Sequence, residues 1–241
     1  MAKQKNKQNY IIGIDEVGRA ASKRRASPDY HYVIGIDEVG RGALAGPVVV
    51  AVVVATVNFK LQTPNSKLKL RDSKKLTARQ REIWFQYIKK SQKSKAKGQR
   101  LYYKTASVSP KIIDKVNISQ AANLAATRVL VRLMTNDKRL TTKKFSVFLD
   151  GGLSIKRSLV MSRKLLVSTI VRGDEKIPAI TMASIMAKVS RDKRMRRLHK
   201  RYPQYDFINN VGYGTKKHIK AIKKFGPSPI HRKSFKIKGT R

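Results

Sequence analysis

YVIGIDEVGRGALAGPVVVAVVV, residues 32–54, decides how the chain folds. An apolar strand ends in two adjacent acids, Asp37 and Glu38. A glycine-rich turn follows (Gly40, Arg41, Gly42, Gly46, Pro47), and then a second, almost wholly apolar strand. Carboxylates at the end of a buried strand are costly unless a cation or hydrogen bonds satisfy them, so the pair reads as functional. The glycines nearly imitate a dinucleotide fingerprint. Their spacing is wrong, however, a strand follows where a helix should, and two acids stand where a pyrophosphate needs none. They either let the backbone approach a sugar or phosphate closely or simply close a hairpin.

Upstream, YIIGIDEVGR at 10–19 nearly repeats YVIGIDEVGR at 32–41, a period of 22 residues. Two copies are too few for a repeat architecture. The first runs into Ser22–Lys23–Arg24–Arg25 and Pro28 with no second strand attached. The working copy is therefore 32–54, and residues 1–31 form a basic extension ahead of one domain at 32–241. The rival arrangement puts Asp15 and Glu16 in the site and strands the apolar YVIGI segment outside the sheet.

Downstream, 46–57 is a buried strand and 58–71 a polar loop. Thr77 and Gln80 have capping-box spacing, and Ile83, Trp84, Tyr87 and Ile88 carry helical periodicity. A basic linker spans 89–100, a strand Leu101 to Ser109, and Ser109-Pro110 starts a helix. A longer helix opens at Ser119 and runs to about Met134. Phe145 to Leu149 repeats the opening design, an apolar strand capped by an acid, Asp150, before two glycines. Leu165 to Val171 is a further strand, and Ile177 to Arg201 a helix carrying Lys188 and Asp192. A Gly-Tyr-Gly turn around Tyr213 precedes a last helix, 216–225, and a basic tail. Strands followed by alternating helices indicate an α/β layered domain, whose ligands gather at the carboxyl ends of the strands.

Charge narrows the function. Lys and Arg number 55 against 14 Asp and Glu, a formal +41. Such a field favours a polyanion, most simply nucleic acid; a solubilising lysine-rich surface is the plainer alternative. No run approaches the roughly 18 apolar residues of a membrane span, so no membrane partner is expected. Zero cysteines exclude thiolate chemistry and fit a reduced cytoplasm.

Against that background, Asp37, Glu38, Asp150 and Asp192 stand out as an acidic cluster. Oxygen ligands suit Mg²⁺, and two such ions about 4 Å apart activate water in phosphodiester cleavage. Each acid also has a plainer role, since strand-end Asp often caps a turn and Asp192 has ion-pair neighbours on its own helix. Ser73 and Lys74 suit a phosphate, and Tyr213 could stack on a sugar or base. The four histidines lack metal spacing, and no nucleophile elbow is present.

Together these motifs resemble type 2 ribonuclease H (ribonuclease HII). They are Gly35 to Gly42 with Ala45-Gly46-Pro47, Asp72 to Leu76, Leu149-Asp150-Gly151, Ala183-Ser184-Ile185 with Ala187-Lys188 and Arg191-Asp192, Gly212 to Thr215, and His231-Arg232 with Ser234-Phe235. The resemblance implies a ribonuclease H-like fold: a central mixed sheet flanked by helices, with a helical C-terminal portion. It implies hydrolysis of RNA in RNA–DNA hybrids and incision 5′ of ribonucleotides embedded in duplex DNA, leaving 5′-phosphates. Asp37, Glu38, Asp150 and Asp192 would hold Mg²⁺ or Mn²⁺. Gly40, Arg41 and Gly42 would read the ribose 2′-hydroxyl, Ser73 and Lys74 would contact phosphate, and Tyr213 would stack at the junction. A non-catalytic nucleic-acid binder retaining the fold is the alternative, and a monomer is the default assembly. The duplicated motif and the high charge depart from the family pattern.

Overall fold

Nine consecutive buried residues, Val48–Thr56, make a strand that can exist only with both faces covered. In the computed structural model it lies inside a five-stranded sheet. The structure describes residues 9–11, 32–57, 59–62, 68–92, 100–136, 145–162 and 165–236. In chain order the strands are β1 (Asn9–Ile11), β2 (Tyr32–Val39), β3 (Val48–Thr56), β4 (Lys60–Gln62), β5 (Leu101–Val108), β6 (Phe145–Asp150) and β7 (Leu166–Ile170). The helices are α1 (Ala78–Ser91), α2 (Pro110–Val116), α3 (Ile118–Asn136), α4 (Arg157–Ser162), α5 (Gly173–Lys176), α6 (Pro178–Arg201), α7 (Phe207–Asn210) and α8 (Lys216–Phe225).

The sheet order is β5-β3-β2-β6-β7. The β2–β3 and β3–β5 pairs are antiparallel, whereas β2–β6 and β6–β7 are parallel. It is thus the mixed sheet that the resemblance implies. Period-2 alternation divides each strand between two cores. Ile34 and Ile36 of β2 pack with α3 on one face, whereas Val33 packs with α1 and α6 on the other. Trp84 of α1, fully buried in that second core, follows from the predicted periodicity. The Thr77–Gln80 box closes reciprocally, at 2.9 and 3.2 Å.

Gly35 fixes the height of α6 over β2. A Cβ there would collide with the backbone of Ala179 and Ile180, so only glycine admits the helix so close. From that contact, two residues along the strand (about 6.6 Å) and four to five along the helix (about 6 to 7.5 Å) arrive together. They arrive at Asp37 and Ser184.

A third small core holds Ala45, Met195, Tyr205, Phe207 and Ile222, and is the helical C-terminal portion. The polar loop expected over 58–71 contains a strand, β4, paired antiparallel with β1. No local pattern in Lys60–Gln62 announces it; a distant partner does. The central strand is the second GIDEVGR copy. Asp15, Glu16 and the basic run at 22–25 lie outside the described residues, as does most of the 89–100 linker.

Candidate active site

Parallel strands end at the same edge of a sheet, and β2 and β6 are parallel neighbours with Ile36 opposite Leu149. The next residues, Asp37 and Asp150, are therefore adjacent about one strand spacing apart. Asp37 is 5% exposed. Its Oδ1 accepts the Glu38 N–H at 2.7 Å, and the Ser184 hydroxyl also hydrogen-bonds to it. Ser184 has one proton to give, so in its 2.8 Å contact with Ser73 the Ser73 hydroxyl donates. Burial, then the charges of Glu38 and Asp150, push the Asp37 carboxyl well above its ordinary value despite these donors. Burial raises Glu38 as well.

Glu38 Oε1 accepts from Arg41 Nη1 at 3.0 Å, but Oε2 is buried and has no hydrogen-bond partner. Arg41 also donates to the Gly152 carbonyl (3.1 Å) and Ser119 Oγ (3.0 Å), tying the glycine turn to the Asp150-Gly151-Gly152 turn and the start of α3. Asp150 Oδ1 accepts the Gly173 N–H at 2.8 Å, which sets α5 beside it.

The fourth acid the structure brings to this edge is Asp174, not Asp192. Asp174 is 5% exposed; burial, then the charges of Asp72 and Asp150, raise its pKa. Asp192 pairs with Lys188 one turn away on α6, Oδ1 to Nζ 2.9 Å. It lies eight residues beyond Ser184, about 12 Å farther along the helix axis. Sequence reasoning missed Asp174 because Arg172-Gly173-Asp174-Glu175-Lys176 reads as a solvated charged turn. The available signal was position, just after a predicted strand in a parallel sheet.

Lys74 stands over the group, Nζ 3.6 Å from Asp174 Oδ2. Desolvation pulls its pKa down, but Asp174, Asp72 and Asp37 outweigh it and the net shift is upward. Lys74 therefore stays charged, with an exposed ammonium, while Ser73 is buried beneath it.

The glycine turn is held from below by two buried arginines, Arg191 and Arg232, to which the sequence alone assigns no role. Arg191 donates to the carbonyls of Pro47 (3.0 Å), Ala45 (3.1 Å) and Val211 (2.8 Å). Arg232 donates to those of Gly46 (3.0 Å), Arg41 (2.7 Å) and Gly40 (2.6 Å). Burial, then the charge of Arg191, lowers Arg232 to about 9, still protonated at neutral pH. A trans peptide points its C=O and the next N–H in opposite directions. The Arg41 and Gly42 amides are thus aimed away from the Arg232 guanidinium, with Gly42 exposed and open space about it. Gly40 sits at φ +93°, and a Cβ there would collide with Arg191.

Tyr213 joins the same surface. The Gly212 carbonyl accepts the N–H groups of Leu44 (2.8 Å) and Ala45 (3.1 Å), and the Tyr213 ring lies 5.3 Å from the Arg191 guanidinium. The sequence-predicted Gly40, Arg41, Gly42 and Tyr213 are therefore one stitched unit.

Four carboxylates, one with an orphaned buried oxygen, suit a hard divalent cation, and oxygen-only ligation excludes a soft one. Among the described residues no group of three or more Asp, Glu or His side chains is placed to hold a metal ion by itself. Mg²⁺ characteristically takes one or two carboxylates and keeps several waters, so the donor set fits. Also among the described residues, no helix is long and apolar enough to cross a membrane.

The sequence model of the ribonuclease HII family matches residues 34–238. Curated relatives include ribonuclease HII of Endomicrobium trichonymphae, 42% identical over 93% of this chain and 84% of its own. That of Chloroherpeton thalassium is 41% identical over 96% and 92%. Among solved structures, ribonuclease H2 of Pyrococcus horikoshii superposes with TM-score 0.58 at 26% identity, covering 85% of this chain and 93% of that one. Ribonuclease HII of Archaeoglobus fulgidus, solved in complex with PCNA, shares the fold with TM-score 0.65 at 24% identity, over 87% and 97%. Bst-RNase HIII solved with Mn²⁺ shares it with TM-score 0.56 at 18%, over 82% and 64%.

Proposed function

The chain belongs to the ribonuclease HII family, type 2 ribonuclease H endonucleases that depend on divalent metal, and on that premise we propose how its own residues do the work. The substrate is RNA within an RNA–DNA hybrid, or a ribonucleotide embedded in duplex DNA cut on its 5′ side. Asp37, Glu38, Asp150 and Asp174 hold Mg²⁺ or Mn²⁺, with Asp174 in the place the sequence reading gave to Asp192. Bound there, such ions would lower the pKa of an attacking water and stabilise the leaving oxygen. Ser184 fixes the Asp37 carboxylate by donating to it, and accepts a hydrogen bond from the Ser73 hydroxyl in turn. Lys74 offers its exposed ammonium to a backbone phosphate. The outward amides of Arg41 and Gly42 read the 2′-hydroxyl, the group that separates RNA from DNA, and Tyr213 stacks on the neighbouring sugar or base.

The observation that carries this reading is Glu38 Oε2, a buried carboxylate oxygen without a partner beside two other strand-edge acids. Uncompensated, such an atom costs about 1–3 kcal/mol or more. The reading includes a monomeric, cytoplasmic protein in which residues 1–31 supply no ligand.

The test is a DNA duplex carrying one ribonucleotide, incubated with and without Mg²⁺. A metal-dependent nick 5′ of the ribonucleotide is expected. Asp37→Asn and Asp174→Asn should each cut at least about 100-fold more slowly while still binding the duplex. The double Asp15→Asn, Glu16→Gln variant should cut normally. Binding without any metal-dependent nick would support the non-catalytic alternative instead.

A further inference from the structure

A hollow of about 790 Å³ opens between β5, α3 and the second half of α6. Arg132 of α3 and Lys193, Arg194, Arg196 and Arg197 of α6 line it, with the hydroxyl of Ser107 on the edge strand β5. Among the described residues one carboxylate answers these five cations. Glu82 takes Lys193 at 2.7 Å, and Lys193 also lies over the Phe85 ring. Arg194 Nη1 donates to Ser107 Oγ at 2.6 Å, which orients its guanidinium and leaves its other donors free of that contact.

A chain at +41 is rich in cations, and on an open surface water and salt screen such charges. Here side chains of two helices meet in a concavity, where their fields add and an anion is focused. The volume falls within the range of small-ligand sites.

Position supplies the occupant. Asp37 pairs with Ala51, and Ala51 with Thr105, which also lines the hollow. Thr105 is thus on the same rung as Asp37, about 10 Å away by two strand spacings. Along α6, Ser184 touches Asp37 and Arg194 is ten residues on, about 15 Å. A duplex advances 3.4 Å per nucleotide on each strand, so about 15 Å corresponds to four or five base pairs. We propose that this hollow is a second phosphate subsite, seating the sugar–phosphate backbone of the substrate duplex about four to five base pairs from the cut. The proposal rests on the nuclease reading above. It adds a ruler: one rigid helix carries the Asp37 partner at one point and the phosphate cradle at another.

Binding is measured in the Asp37→Asn background without divalent metal, so that cutting plays no part and failure of the nuclease reading would leave the result intact. Arg194 and Arg197 are exposed, so Arg194→Gln with Arg197→Gln should fold. On a duplex with long flanks, the double variant should raise Kd about ten-fold and flatten the dependence of log K on log salt by about two. A hairpin-closed duplex with about three base pairs on either side cannot reach the hollow and should bind both proteins equally. Arg194→Lys with Arg197→Lys should restore the salt slope, and the control pair Lys89→Gln, Lys90→Gln should leave it unchanged. An unchanged slope, an equal loss on the short duplex, or an equal loss in the control overturns the proposal. So does inorganic tripolyphosphate raising the Tm of the parent but not of the Gln variant while long-duplex Kd stays the same, which would assign the hollow to a free polyphosphate.

Discussion

The carboxyl edge of the sheet and the underside of the glycine turn are neighbours built on opposite terms. At the edge, Asp37 and Glu38 are buried beside like charge, their protons are held too tightly, and Glu38 Oε2 has no partner. Under the turn, each nitrogen of the Arg191 and Arg232 guanidinium groups donates to a main-chain carbonyl. A buried polar network is favourable when every member is satisfied and costly when one is not. One region holds itself together; the other is left wanting a cation. The difference teaches that the scaffold around a metal-hungry edge has to be rigid, or the edge would relax by collapsing onto its own amides.

The strongest way to break that comparison is to remove a satisfied arginine. Arg232→Met keeps the bulk, strips the charge and leaves three carbonyls without donors. A loss of about 3–5 kcal/mol is expected from a buried charge-assisted network, read as a lower urea midpoint. Arg232→Lys should recover little, since an ammonium cannot reproduce a planar fork reaching three acceptors. A cost below about 1 kcal/mol would mean the turn holds its shape without the arginine.

These arginines also mark where the sequence stops being legible. Strand-end acids are visible because a run of Val, Ile and Leu makes Asp37 and Asp150 conspicuous. The helix opening at Thr77 is visible because capping is local chemistry. Arg191 and Arg232 stand within motifs of the resemblance, but their role is not legible there, because among 55 basic residues it is burial under the glycine turn that sets them to work. Asp174 was hidden for a related reason. Its turn is charged on both sides, and only the packing of α5 against β6 through the Gly173 amide carries it inward. Asp192 entered through the motif that carries the resemblance, although its helix neighbours already offered an ion pair; its axial distance from Asp37 depends on where Gly35 lets α6 touch the sheet, which the sequence does not state.

A second test exploits opposite responses to acid. His218 Nδ1 lies 2.8 Å from the Tyr213 carbonyl and must donate, so its Nε2 is bare and accepts from His231 Nε2–H at 3.0 Å. His231 Nδ1 is then bare too, and accepts the Ser228 N–H at 2.9 Å. Any added proton sets two donors face to face. Burial, then His218, accordingly lowers His231 to about 4 from 6.5, and burial lowers His218. A group with a depressed folded pKa leaves the unfolded chain holding more protons, so stability falls as pH drops from 6.5 towards 4, by about 3 kcal/mol for His231. Carboxyls with raised folded pKa values act the other way and gain stability on acidification. Urea midpoints at pH 7 and 4.5 in the Asp37→Asn background should show the loss, and His231→Gln should flatten it. A parent curve as flat as the variant's would remove the histidine pair from this account.

The smallest effect sharpens the site itself. An i,i+4 pair such as Lys188–Asp192 is worth about 0.3–0.5 kcal/mol, and its two side chains are partly exposed. Asp192→Asn should therefore lower stability by no more than that, and change the rate of ribonucleotide incision less than two-fold, about 0.4 kcal/mol of barrier. Asp174→Asn removes a carboxylate that crowds Asp150 and Asp72. With metal absent it should raise the urea midpoint slightly by relieving that crowding, even as it abolishes cutting. Stability and activity then move in opposite directions at Asp174 and barely move at Asp192. If Asp192→Asn were instead the variant that lost activity while keeping its fold, the ligand would reach the edge from α6, and the position of that helix over Gly35 would need to change by more than a full turn.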